Sequence, residues 1–158
     1  MNRRTFGLAA LASAAAGAIG LASTSKAQAG FAVTRTDAEW RAMLSRAEYK
    51  VMRREGTERP FSSPLDKNTA KGIYHCRGCD QPLYSSKAKY DSGTGWPSFY
   101  QSLPRAIGTK VDRKMLVART ECHCSRCGSH LGHIFNDGPA PTGHRHCLNG
   151  VSLVFKPA

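Results

Sequence analysis

The chain has 158 residues, of which 41% are hydrophobic, so it is long enough for one domain with a single apolar core. This composition excludes a chain that is disordered over most of its length. The formal net charge of +12 suits a nucleic acid, an anionic surface or an acidic partner. Because the basic residues are scattered rather than clustered, the pattern favours a solvated basic surface.

The first 29 residues have the order of a secretory signal. Arg3 and Arg4 precede an uncharged run rich in Ala and Gly at residues 6–22, and residues 27–29 fit a small-x-small cleavage site. The paired arginines and the weakly apolar run favour twin-arginine export and a periplasmic location. A retained anchor is the alternative, but the run is marginal for spanning a bilayer. We therefore expect a cleaved signal at residues 1–29, a mature domain at residues 30–158 and no stable membrane anchor.

The mature domain opens with helical signals and continues with strand signals. Two capping boxes, Thr36 with Glu39 and Ser45 with Glu48, predict two short helices, and Gly56 is a suitable C-terminal stop. Short apolar runs between turn-forming residues then predict strands at residues 72–75, 81–84, 115–118 and 151–155. The expected fold is therefore mainly β, with antiparallel strands and short N-terminal helices.

Four of the six cysteines form two C-x-x-C pairs, Cys76 with Cys79 and Cys124 with Cys127. Two such turns that face each other form the tetrahedral four-sulfur site of a structural zinc ion. The 44 residues between the pairs exceed the usual zinc-ribbon spacing, so the β fold would have to bring the pairs together. Disulfides among the six cysteines are one alternative. A redox-active C-x-x-C pair is another, but that motif normally opens a helix, and neither pair here precedes a helical pattern.

Outside these pairs, the segment around Cys147 has the composition of a reactive site. His144, Arg145 and His146 directly precede Cys147, and their charges would lower the pKa of its thiol. His130 and His133, three residues apart, are as readily polar core residues or zinc ligands as catalytic groups. Trp96, in a glycine-rich loop, either presents an aromatic face to a small apolar group or lies in the core.

With these motifs in this order, the sequence resembles the methionine-R-sulfoxide reductase B (MsrB) family. The resemblance covers residues 40–155 and rests on GTERPF at 56–61, CRGC at 76–79, DSGTGWPSF at 91–99, CSRCGSHLGHIF at 124–135 and RHCLN at 145–149. It implies two antiparallel β sheets with small N-terminal helices. It also implies a structural zinc ion, at the pole away from the active site, bound by Cys76, Cys79, Cys124 and Cys127.

The resemblance also implies a reaction and its residues. The Cys147 thiolate attacks the sulfur of the R epimer of methionine sulfoxide, and the resulting sulfenic acid is reduced by a thiol. A histidine gives the proton that the departing oxygen needs, while Trp96 packs against the S-methyl group. The implied catalytic residues are Cys147, His130, His133, Asn149 and Arg145, and the implied substrate-binding residues are Trp96, Phe99 and Phe135.

Two positions depart from the family pattern. Many members carry a resolving cysteine where Thr94 stands, so either an external thiol or Cys122 must reduce the sulfenic acid. In a strand, Cys122 would point to the same side as Cys124, toward the zinc and away from Cys147, and we therefore favour a buried structural role for it. His146 stands where the family more often has an aromatic residue such as tyrosine, and it would shift the pH profile in a direction that the sequence does not give.

Two other functions compete with a reductase. The charge and the C-x-x-C pairs suggest a zinc-knuckle module for nucleic acid, but the export signal, the scattered charge and Cys147 count against it. The second competing function is that of an exported protein stabilised by disulfides and without enzyme activity. Its lack of bound zinc would distinguish it from a reductase with a zinc site. We expect instead a monomer that repairs oxidised proteins under oxidative stress, receives electrons from a thioredoxin-like protein or another thiol reductant, and binds no nucleic acid.

Overall fold

The computed structural model describes residues 30–158, and the predicted signal at residues 1–29 lies outside them. The described part of the chain folds into two short helices and nine strands. The helices are α1 (Asp37–Met43) and α2 (Arg46–Arg54). The strands are β1 (Gly72–Cys76), β2 (Pro82–Ser85), β3 (Lys89–Tyr90), β4 (Ser98–Phe99), β5 (Ile107–Asp112), β6 (Arg119–Cys124), β7 (His130–Phe135), β8 (Arg145–Leu148) and β9 (Leu153–Pro157).

The strands form two antiparallel sheets. The smaller sheet has the order β2-β1-β9, and the larger has the order β3-β4-β8-β7-β6-β5. This arrangement confirms the predicted mainly β fold of two antiparallel sheets with short N-terminal helices. Between residues 30 and 158, no helix has both the length and the apolar character that a membrane span requires.

Both predicted capping boxes are present at the starts of α1 and α2, where a hydroxyl and a carboxylate bond each other's backbone amides. The end of α2 differs slightly from the prediction. Glu55, not Gly56, adopts the left-handed conformation, with φ of 52°. The amide of Gly56 instead donates to the carbonyl of Lys50 at 3.1 Å. A Cβ at Gly56 would lie 2.9 Å from that oxygen, so the glycine permits a close approach of the backbone.

Three of the four predicted strands coincide with β1, β2 and β9, although β9 begins at Leu153 after a 3₁₀ turn at Gly150–Ser152. The predicted strand at residues 115–118 is wrong. These residues form the exposed connection between β5 and β6, where Leu116 is fully exposed. The pairing in this hairpin uses the more polar segments on either side and closes where Asp112 meets Arg119. An apolar run therefore marks the loop of this hairpin rather than a strand.

Aromatic side chains fill the space between the two sheets. Tyr74 of β1, Tyr84 of β2 and Phe99 of β4 are fully buried. The ring centroid of Phe99 lies 5.0 Å from that of Tyr74 and 4.6 Å from that of Tyr84. The expectation that Phe99 binds substrate is therefore wrong, because its ring is enclosed by the core. The core covers one face of the larger sheet and leaves the other for the pocket described next.

Candidate active site

A small pocket opens on the face of the larger sheet that carries Cys147. Its volume is about 140 Å³. Pockets for drug-sized ligands measure roughly 300–1,000 Å³, so this one is suited to a single side chain. The pocket is lined by Thr57, Trp96, Arg119, Gly132, His133, Phe135, Cys147, Leu148 and Asn149.

Strand register explains why Cys147 and His133 lie side by side. Ser98 of β4 is paired with Cys147 of β8, Cys147 with His133 of β7, and His133 with Glu121 of β6. Directly paired residues point to the same face with their Cβ atoms about 5 Å apart. Gly132 allows the backbones to meet here, since a Cβ at this position would lie 2.0 Å from the Cys147 carbonyl oxygen. The pocket is thus built on one row of directly paired residues that runs across the strands of the sheet.

The surroundings of the Cys147 thiol differ from the expectation. Burial raises the pKa of Cys147 above its ordinary value, although the charge of Arg145 and a hydrogen bond from Thr94 act in the opposite direction. Of the cationic neighbours in sequence, Arg145 reaches the thiol. His146 is buried in the core, and His144 lies exposed on the loop before β8. Arg145 thus lowers the pKa of the Cys147 thiol as expected, but burial outweighs it and the net shift is upward.

Arg145 is held beside the thiol by contacts on two sides. Its Nε and Nη2 donate to the two carboxylate oxygens of Asp137 at 2.9 and 2.8 Å. Its guanidinium also lies 4.4 Å from the ring centroid of Phe135. Phe135 therefore both lines the pocket and contacts the guanidinium of Arg145. Asp137, in the loop after β7, was not predicted as a site residue.

His133 is oriented by a carboxylate at the base of the β5–β6 hairpin. Its Nε2 lies 2.8 Å from Oδ2 of Asp112, which also accepts from Nη2 of Arg119 at 2.7 Å. Burial and the charge of Arg119 lower the pKa of His133, while the hydrogen bond to Asp112 raises it. Asp112 and Arg119 carry no motif, and only the register of the hairpin joins them to the pocket.

The backbone of Glu58, in the segment between α2 and β1, holds Trp96 at the pocket. Nε1 of Trp96 donates to the carbonyl of Glu58 at 3.2 Å, and the amide of Glu58 donates to Oδ1 of Asn149 at 2.9 Å. Nδ2 of Asn149 donates to the carbonyl of Leu131 at 3.0 Å. The side-chain amide of Asn149 therefore links the Glu58 segment to β7, and Asn149 also lines the pocket.

A four-cysteine cluster lies at the turns after β1 and β6, one from each sheet. The Sγ atoms of Cys76, Cys79, Cys124 and Cys127 all lie within 4.8 Å of one another. The closest pairs are Cys79 with Cys124 at 3.5 Å and Cys76 with Cys127 at 3.7 Å. This arrangement can hold a metal ion and is compatible with a structural zinc site. All six cysteines of the chain, which lie in the described part, are free of disulfides.

Known proteins share these features. A sequence profile of the SelR domain matches residues 44–157. A Methanosarcina barkeri protein named peptide methionine sulfoxide reductase MsrB is 52% identical over 126 residues, which are 79% of this chain and 89% of that protein. The chain belongs to the MsrB family. A Thiobacillus denitrificans protein of the same name is 52% identical over 124 residues, or 78% and 94% of the two chains. The chloroplastic rice reductase B1 is 46% identical over 127 residues, or 80% and 59%.

In this MsrB-family enzyme, His130 lies behind the pocket rather than in its wall. Its side chain is 2% exposed, and its ring centroid is 5.4 Å from that of His133. Nδ1 of His130 donates to one oxygen of Glu121 at 2.7 Å, and Nδ1 of His123 donates to the other at 2.8 Å. Burial alone would raise the pKa of Glu121, but these two bonds lower it to about 2. His130 thus packs against His133, with no surface on the pocket.

Cys122 lies on the opposite face of the sheet from the pocket of this MsrB-family chain. It is paired with Gly132, and Gly132 is paired with Leu148. Leu148 follows Cys147 in β8, so the two side chains point to opposite faces. Both Cys122 and Leu148 are fully buried, and therefore face the core. Burial raises the pKa of the Cys122 thiol well above its ordinary value, although a hydrogen bond with Tyr84 opposes it.

Proposed function

We propose that this MsrB-family enzyme reduces the R epimer of methionine sulfoxide to methionine, whether free or within a protein. The observation that carries the proposal is that Cys147, Trp96 and His133 line the same pocket, which is sized for one side chain. The S-methyl group would pack on the indole of Trp96, and the sulfoxide oxygen would face His133. Three different contacts around a chiral sulfur admit one epimer.

The residues of the pocket account for each step of the attack. The Cys147 thiolate bonds to the sulfoxide sulfur, and the His133 imidazolium protonates the sulfoxide oxygen. The sulfur–oxygen bond of the substrate then breaks, the hydroxyl group passes to the Cys147 sulfur, and the bond between the two sulfurs breaks to release methionine. The thiol proton restores the imidazolium, so that a thiol and a sulfoxide become a sulfenic acid and a thioether. Because burial disfavours the thiolate, the charge of Arg145 is needed beside it.

An external thiol would complete the cycle. Thr94 has no sulfur, and the Cys122 side chain points to the core face, away from the Cys147 side chain. A thiol reductant therefore attacks the Cys147 sulfenic acid and releases water, leaving a mixed disulfide. A second thiol of the reductant then frees Cys147 and carries away the disulfide. A thioredoxin-like protein has the paired thiols that this sequence requires.

The four-cysteine cluster would hold one structural zinc ion. Zinc–sulfur bonds of about 2.3 Å place the sulfurs of a tetrahedral site about 3.8 Å apart. The closest separations in the cluster, 3.5 and 3.7 Å, agree with that value. Four protein ligands leave no open position on the ion, so its contribution would be to stability and not to the reaction. The pocket residues supply the chemistry.

We also propose that residues 1–29 form a twin-arginine signal that is removed after Ala29, giving a periplasmic monomer. The proposal rests on Arg3, Arg4 and the uncharged run that follows them. N-terminal sequencing of protein from fractionated cells should find Gly30 first and only in the periplasm. A double substitution of Arg3 and Arg4 by lysine should retain the full-length chain in the cytoplasm. An intact N-terminus in the membrane fraction would contradict cleavage.

The reductase activity is best tested with the two separated epimers of methionine sulfoxide and a small thiol as reductant. The wild type should turn over the R epimer only, and Cys147→Ser should lose that turnover. Cys122→Ser is the matched control, since it removes a thiol of the same chain from the core face and should remain active. Equal rates on both epimers, or turnover by Cys147→Ser, would refute the proposed function.

A further inference from the structure

Three hydroxyl groups form a hydrogen-bonded chain beside Cys147. Oγ of Ser92 lies 2.8 Å from Oγ1 of Thr94 and 2.7 Å from Oγ of Ser98. At the far end, Ser98 is fully buried and donates to the carbonyl of Trp96 at 3.0 Å. At the near end, an interaction with the Thr94 side chain lowers the pKa of the Cys147 thiol. Ser98 also neighbours Cys147 directly across the β4–β8 pair.

Each hydroxyl has one proton to donate, so the direction of the chain depends on the charge of the sulfur. When Cys147 is a thiol, its S–H can donate to Thr94, Thr94 to Ser92, Ser92 to Ser98, and Ser98 to the Trp96 carbonyl. When Cys147 is a thiolate, it needs a donor, and every proton can turn the other way. In that direction only the Trp96 carbonyl loses its partner.

We propose that Thr94 is a catalytic residue that donates a hydrogen bond to the Cys147 thiolate, and that Ser92 and Ser98 position its hydroxyl by reversing together. Hydrogen bonds to an ionised acceptor are roughly twice as strong as neutral ones, and linked hydroxyls strengthen one another. Thr94 is thus a functional group of this site rather than a neutral replacement for a cysteine. The inference rests on Cys147 being the nucleophile of the proposed reaction.

Other charged and titratable groups also act on the thiol, but none of them changes when position 94 is varied. Arg145 stabilises the thiolate from the other side, and the carboxylate of Asp137 opposes it. The Tyr90 hydroxyl is buried and interacts electrostatically with Cys147, and His133 is paired with Cys147 across β7 and β8. A comparison of variants at position 94 therefore isolates the hydroxyl chain.

The test measures how fast iodoacetamide alkylates Cys147 as a function of pH, by mass spectrometry of the peptide that contains it. Thr94→Val removes the hydroxyl at nearly constant volume, and Thr94→Ser keeps it. Thr94→Val should raise the apparent pKa of Cys147 by about one pH unit, which slows alkylation about tenfold below that pKa. Thr94→Ser should match the wild type. Ser92→Ala should shift the pKa the same way but less, because Thr94 keeps its own proton.

Two outcomes would overturn the inference. An unchanged Cys147 pKa in Thr94→Val means that the hydroxyl does not stabilise the thiolate. An unchanged pKa in Ser92→Ala means that Thr94 acts alone, without a chain. Thermal melts of each variant control for folding, and Ser92→Ala at a partly exposed position carries the test if Thr94→Val does not fold. Because alkylation uses no methionine sulfoxide, its result is independent of the epimer assay.

Discussion

Nε2 of His133 donates a hydrogen bond of 2.8 Å to the carboxylate of Asp112, which accepts another from Arg119 at 2.7 Å. An ionised carboxylate only accepts, so this contact fixes which imidazole nitrogen carries the proton. Nδ1 is then the nitrogen that exchanges a proton with a substrate. Asp112 both orients the ring and favours its charged form.

Asp112→Asn should lower the kcat of R-epimer reduction at neutral pH by about tenfold or more, because His133 loses the charge that favours its imidazolium. The His133 pKa should fall further below its ordinary value. Since the acid form donates the proton, the loss of activity at high pH should begin at a lower pH. A kcat profile over pH measures this, with Asp91→Asn, at an exposed carboxylate, as control. A change in KM alone would contradict the role of Asp112.

A single turnover without reductant should produce no disulfide between Cys122 and Cys147. The two side chains leave the sheet on opposite faces, and the raised pKa of Cys122 keeps it a thiol. Mass spectrometry of the digested protein should find Cys147 as a sulfenic acid, trapped by a dimedone-type reagent. A dominant Cys122–Cys147 link would show instead that Cys122 reaches the oxidised sulfur.

His146 should make the free energy of unfolding depend on pH. The ring is 6% exposed, its Nδ1 lies 3.0 Å from the Tyr84 hydroxyl, and burial lowers its pKa to about 4. The unfolded chain binds this proton near pH 6.5, before the folded chain does. The stability that depends on neutral His146 is therefore complete above pH 6.5 and is lost as the pH falls toward 4.

The loss amounts to at most about 3.4 kcal/mol, at 1.36 kcal/mol for each pH unit between the two pKa values. Urea unfolding of the wild type and of His146→Phe at several pH values measures it. The variant should show a smaller fall in stability between pH 6.5 and 4, whatever its stability at neutral pH. Parallel curves for the two proteins would show that His146 does not titrate in this range.

Removal of the proposed zinc ion should destabilise the whole fold. The purified protein should contain about one zinc per chain, and a strong chelator should lower the melting temperature by about 10 °C or more. Cys76→Ser should have the same effect, while Cys122→Ser should keep the metal. Turnover should fall only in proportion to the unfolded fraction. A stable, metal-free protein with three disulfides would contradict this prediction.

The sequence predicted those parts of the molecule that depend on short spacing. The C-x-x-C pairs and the capping boxes are local, and their residues lie where the spacing placed them. Asp112 and Glu121 were missed because they reach His133 and His130 only through strand register, which residue types do not encode. Phe99 was misplaced for a related reason. It follows Ser98 in one strand, so the two point to opposite faces, and the sequence alone does not tell which face is the core.

Through the proposed zinc ion, Cys79 and Cys124 would join the two sheets across a long stretch of chain. A cross-link that closes a ring of this size disfavours the unfolded chain by roughly 4 kcal/mol. The same arrangement protects the protein from its own product, because a sulfenic acid condenses with any thiol that reaches it. Four of the other five thiols would be bound to the ion, and the fifth lies behind the sheet. With the ion bound, the enzyme would form a sulfenic acid at Cys147 in every cycle without forming disulfides among its own cysteines.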